Sequence, residues 1–110
     1  MDHRERFVTN ENVARFMRLI EQEPSDTQRS LWKNLLVAEE DRYASEIEKL
    51  HLTERCRERC LQRIREQRSR VAAMNDGHPH VKEANLFLAN LLDMLALIEF
   101  RIDRLKERLG

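Results

Sequence analysis

Residues 79–109 read PHVKEANLFLANLLDMLALIEFRIDRLKERL. Val81, Ala84, Leu88, Leu91, Leu95, Ile98, Ile102, Leu105 and Leu109 advance in alternating steps of three and four, nine heptad core positions without a miss. The pattern predicts a helix over about 79–109. Leu86, Phe87, Leu92, Met94, Leu97 and Phe100 add apolar groups on other faces, so a single neighbouring helix cannot cover the stretch from Leu86 to Phe100. Asn90, Asp93 and Glu99 interrupt it, whereas a membrane span needs about 18 clean apolar residues. The expectation is therefore a soluble helix with an interface. A homodimer forming a four-helix or larger bundle would cover it, through Leu86, Phe87, Leu88, Leu91, Leu92, Met94, Leu95, Ile98 and Ile102.

Upstream, Asp76-Gly77-His78-Pro79 is the strong turn signal. Gly77 suits a left-handed position after a helix, and Pro79 suits the first turn of the next. Between Asp26 and Asp76 there is neither glycine nor proline. Trp32, Leu36, Glu39, Tyr43, Glu46, Leu50, Thr53, Arg57, Cys60, Ile64, Gln67, Val71 and Met74 hold one heptad frame through that span, with Leu31, Leu35, Ile47 and Leu61 beside it. The frame predicts one long central helix over about 26–75, with a break near His51–Thr53 as the alternative.

Closer to the N-terminus, Val13, Phe16, Met17 and Ile20 give a helix over about 10–22 one apolar stripe, with Thr9 as its expected cap and Val8 and Val13 as a hydrophobic staple. Residues 1–8 are expected to fray. Pro24 ends the helix, and Ser25 with Gln28 has the spacing of a capping box that starts the next. The predicted architecture is a single all-α domain, 1–110: a long central helix flanked by two shorter antiparallel partners laid nearly end to end.

Composition agrees. Only two glycines and two prolines occur in 110 residues, too few for strands and hairpins, and 36% of residues are charged. Twenty basic and twenty acidic side chains cancel, so the whole chain makes no electrostatic case for nucleic acid or an anionic membrane. The basic charge gathers in the middle: residues 51–75 carry seven arginines against three glutamates. Of these, Arg55, Arg59 and Arg63 fall on one helix face and are the candidate anion contacts. No aromatic interleaves them to stack a base, and Glu54, Glu58 and Glu66 dilute the field.

Chemistry-bearing motifs are sparse. Glu48 and His51 have the Glu-x-x-His spacing of carboxylate-bridged metal bundles, but Ile47 and Leu50 are read as the buried side, with Ala44, Glu48 and His51 pointing away. Cys56 and Cys60 with His51 could offer half a zinc site, yet the opposing stretch has no His or Cys to complete it. Two cysteines four apart in a helix fit packing in a reducing compartment, and a mixed-charge N-terminus without an apolar run argues for the cytoplasm. Glu39, Glu40 and Asp41 are read as solvent-facing. With no nucleophile beside a base and no Gly-rich phosphate loop, no catalytic residue, metal or cofactor is expected.

Asn12, Arg15, Phe16, Leu19, Glu23, the Leu35-Leu36 and Glu39-Glu40 pairs, Arg63-Ile64, Gln67, Asp76-Gly77-His78, Ala84, Leu88 and Leu95-Ala96-Leu97 together form a recognisable pattern. Over most of residues 9–105 it resembles short, functionally uncharacterised bacterial helical proteins with an arginine-rich helix, an Asp-Gly-His turn and a leucine-rich last helix. Those proteins commonly carry histidines where this chain has Ile98 and Arg101. The resemblance implies a bacterial cytosolic helical hairpin and no activity. The expected function is that of a non-enzymatic interaction or scaffold protein, self-associating through its C-terminal helix and meeting an unidentified protein partner. The alternative is a small nucleic-acid-associated regulator using the arginine face of residues 55–70.

Overall fold

The computed structural model describes residues 3–42 and 45–110. Four helices make up the described residues: α1 (His3–Gln22), α2 (Asp26–Glu40), α3 (Glu46–Ala72) and α4 (Val81–Leu109). The all-helical bundle expected from the sequence is what forms. Its connectivity differs at one place: residues 26–75 are not one helix. Such a helix would be about 75 Å long, and the longest extent of the molecule is 49 Å.

The chain leaves the helix after Glu40 and re-enters it at Glu46, upstream of the alternative break near His51–Thr53. Ser45 makes the difference. It is extended (φ −115°, ψ 150°), and its hydroxyl accepts from the backbone N–H of Glu48 at 3.1 Å, capping α3. Tyr43, a member of the heptad frame, and Ala44 lie outside the described residues. Reversal here brings the chain's own apolar faces together. Val13, Met17 and Ile20 of α1, Leu36 of α2, Leu52, Cys56, Cys60 and Ile64 of α3, and Leu91, Met94, Ile98 and Ile102 of α4 form one core cluster. Phe16, Trp32, Leu50, Leu88 and Leu95 pack against it.

Side-chain pairs fix the directions of the helices. Arg6–Glu48 (3.0 Å) and Arg63–Glu21 (2.5 Å) both join positions 42 apart, so α1 and α3 run parallel. Lys33–Asp93 and Arg101–Glu40 join positions 60 and 61 apart, so α2 and α4 run parallel too. With α2 followed by an antiparallel α3 through Glu40 and Thr53, the order is up-down-up-down.

The first turn forms where the sequence predicts it, with the hydroxyl half of the capping box; the backbone N–H of Ser25 donates to Glu23 Oε1 at 3.1 Å. Ser25 accepts from Gln28 N–H at 3.3 Å, with Asp26 in the first turn of α2. The carbonyls that end α1 have no partner within that helix and are met from outside: Arg29 donates to Glu23 O (3.0 Å) and Pro24 O (3.3 Å), and Asn90 of α4 donates to Glu21 O (2.9 Å) and Glu23 O (3.1 Å).

Four further expectations change. Residues 3–8 are helical rather than frayed, secured on α3 by the Arg6–Glu48 pair. Thr9 is therefore not a cap but a fully buried residue inside α1. Gly77 is not left-handed, since no residue described has a positive φ. The eight residues 73–80 between α3 and α4 are enough chain to turn without such a cap, and α4 begins at Val81 with Pro79 just outside it. Ile47 is exposed, and the buried side of α3 begins instead with Leu52 and Thr53.

Candidate functional site

Parallel helices α1 and α3 lie across the bundle from one another and are joined at their rims by ion pairs rather than by interdigitated apolar groups. What remains between them is a groove of about 410 Å³, floored by Leu91 and Met94 of α4 and walled by Met17 and Cys60. Two smaller hollows extend it along the same seam, one of about 110 Å³ over Val13, Leu52 and Cys56, the other of about 320 Å³ beside His3, Arg6, Glu48 and His51.

The rim is where the candidate anion contacts stand. Arg59 and Arg63 line the large groove, together with Arg18 of α1, and Arg55 lines the two smaller ones. Their chemical states differ. Arg63 is committed: its guanidinium donates to the buried carboxylate of Glu21 (2.5 Å) and to Glu66 (2.6 Å), and these two partners raise its pKa. Arg18, Arg55 and Arg59 have no ion-pair partner among the described residues. The rim acids are Glu21 and Glu48, both paired with arginine, and Glu11. Glu54 and Glu58 do not line the groove.

Its two thiols are chemically quiet. Burial pushes Cys56 up to about 12 and Cys60 up to about 11. Cys60 donates to Leu91 O at 3.4 Å, tying α3 to α4. Neither is a nucleophile at neutral pH. Among the described residues no group of three or more His, Cys, Asp and Glu could hold a metal ion. Glu48 is paired with Arg6 at 3.0 Å, while His51 is exposed on the adjoining surface.

A second surface lies on α4, on the side away from the groove. Of the nine residues expected in the dimer interface, Leu91, Met94, Ile98 and Ile102 are buried in the chain's own core, and Leu88 and Leu95 pack against it. Leu86 and Phe87 are half-buried. Leu92 remains 40% exposed, and Phe100, next along the same stripe after Ala96, is 60% exposed. Glu99 and Asp103 border the stripe and have no ion-pair partner among the described residues.

The chain matches no family model, no curated protein and no solved structure. Among the described residues no helix is long and apolar enough to cross a membrane.

Sequence reasoning did not single out Arg18 or Glu21, took Asn90 only as an interruption, and read Glu40 as solvent-facing, whereas Glu40 is buried and paired with Arg101. Three of these carried a signal. Glu21 follows Met17 by four, and Glu40 follows Leu36 by four, so each prolongs a buried stripe with a carboxylate that needs a cation. Asn90 stands inside the most apolar run of the chain, where a polar side chain needs a buried partner. Arg18 carried none, because only the tertiary arrangement places it opposite Arg59.

Proposed function

We propose that this is a non-enzymatic helical interaction protein of the bacterial cytoplasm, which self-associates through its C-terminal helix, a second copy being its first partner. The observation that carries the reading is the stripe Leu92–Ala96–Phe100. The four-helix core is complete without these residues, so burying their exposed area costs no internal contact and removes apolar surface from water. The free thiols of Cys56 and Cys60 suit a reducing compartment.

Light scattering over a micromolar concentration series tests it. The wild-type chain is expected to gain mass with concentration, and Phe100→Glu to remain monomeric with its helix content intact. A wild-type chain that stays monomeric throughout overturns the reading. The runner-up, a small nucleic-acid-associated regulator, draws support from Arg55 and Arg59, which have no ion-pair partner among the described residues. It requires binding that weakens steeply with salt; the exposed Leu92 and Phe100 favour a protein partner instead.

A further inference from the structure

We infer that the outer face of α4 docks in the α1–α3 groove of a second copy. The inference rests on the self-association just proposed and names the surface that receives the stripe. The two surfaces are opposite in kind. The groove is lined by Ala14, Arg18 and Arg59 over the buried Leu91 and Met94, and Arg18, Arg59 and, in the adjoining hollow, Arg55 have no ion-pair partner among the described residues. The face of α4 offers Leu92 and Phe100 beside Glu99 and Asp103, which also lack one, with the guanidinium of Arg104 5.9 Å from the centre of the Phe100 ring.

The spacing matches as well as the sign. Arg55 and Arg59 are four apart on α3, Glu99 and Asp103 four apart on α4, and side chains at that separation sit about 5–6 Å from each other on a helix. Two cations and two anions can therefore meet in register along two helices laid side by side. An amphipathic helix laid in a groove is a recurrent recognition mode.

Like-with-like pairings are worse. Two α4 faces crossing antiparallel at the level of Arg101 set Glu99 of one copy against Asp103 of the other, acid on acid. Groove against groove sets arginine on arginine. Cross-pairing alone satisfies both surfaces. It is also heterologous: Leu91 and Met94 face the groove from one side of α4, while Leu92, Ala96 and Phe100 occupy the other, so each bound copy still presents one free surface. Association then runs past the dimer, into a ring or an open stack.

A mixing experiment on the full-length chain tests this. One variant carries Arg55→Glu with Arg59→Glu, which spoils the groove and leaves the α4 face. The other carries Leu92→Glu with Phe100→Glu, which spoils the face and leaves the groove. All four positions are exposed, and circular dichroism checks that both variants remain helical. Each alone is expected to be monomeric at concentrations where the wild type associates, its self-affinity weakened at least about tenfold. Mixed at equal concentration they are expected to form a 1:1 complex by light scattering, because each retains the surface the other lacks, and this complex weakens as salt is raised. A groove variant that associates like the wild type overturns the inference and leaves the α4 stripe as a self-pairing surface. A mixture that stays monomeric also overturns it. A monomeric wild type removes the self-association on which it rests.

Discussion

Arg101 donates through Nε to Oε2 of Glu40 at 2.9 Å, and the Glu40 side chain is only 1% exposed. The pair spans the bundle from the end of α2 to the last third of α4. Thr53 of α3 donates to the same oxygen at 3.3 Å, while Nη2 of Arg101 reaches Asp41 at 3.2 Å. Taking a carboxylate out of water is costly unless a cation and hydrogen bonds replace the lost hydration. Arg101→Ala, which strands Glu40, is expected to lower stability by about 3–5 kcal/mol in urea unfolding. Replacing both residues, Glu40→Leu with Arg101→Leu, is expected to recover most of that loss. A single Arg101→Ala change that costs nothing would show that the pair holds no buried charge.

Burial raises the pKa of Glu40 above its ordinary 4.5, and the cation of Arg101 only partly opposes this. A carboxyl raised in the folded state binds its proton more tightly there than in the unfolded chain. The corresponding contribution to stability is full below pH 4.5 and is lost as pH rises through the folded-state value. Glu40→Gln removes the titration. The stability of the wild type relative to Glu40→Gln is therefore expected to fall as pH rises above 4.5, read from unfolding curves collected across that range. A flat difference, or one that rises with pH, contradicts the assigned direction.

Much of the fold was legible because periodicity reports burial directly. The stripe of α1, the reversal at Pro24–Ser25 and the run of α4 from Val81 to Leu105 all appear as read. The break between α2 and α3 does not, since the heptad frame runs through it and neither glycine nor proline marks it. Ser45 followed three residues later by Glu48 has the capping-box spacing and was the signal available. The same error placed the core of α4 at an intermolecular seam. With α3 antiparallel to α2, Leu91, Met94 and Ile98 join one core cluster with residues of the chain's own α1 and α3. The arginine face was legible as a pattern but not as a site. That Glu21 occupies Arg63 while Arg55 and Arg59 have no ion-pair partner among the described residues depends on how α1 is placed against α3.

Ser45 offers a direct check of the break. Its hydroxyl is the acceptor for Glu48 N–H at the first turn of α3. Ser45→Ala is expected to cost about 1 kcal/mol by loss of the cap, and Ser45→Asp to retain most of the stability, because Asp caps equally well and complements the helix dipole. Thermal unfolding of the two variants beside the wild type distinguishes them. Equal losses for Ala and Asp would show that the hydroxyl does not cap the helix.

The cysteines report on how tightly the α1–α3 seam is closed in solution. Cys56 and Cys60 are buried, and burial pushes their thiols up to about 12 and about 11. At pH 8 only about one thiol in a thousand or fewer is then ionised, compared with a substantial fraction for an exposed cysteine. Modification by a thiol-disulfide exchange reagent is therefore expected to be slow in the native protein, and to proceed at the rate of opening or unfolding. Urea should accelerate both residues by orders of magnitude. Of the two, Cys60 borders the larger groove, so any faster native reaction belongs to it, and Cys60→Ala should remove that phase while Cys56→Ala leaves it. Rapid, stoichiometric modification of both in the absence of denaturant would mean that the seam between α1 and α3 stands open, with neither thiol held in the core.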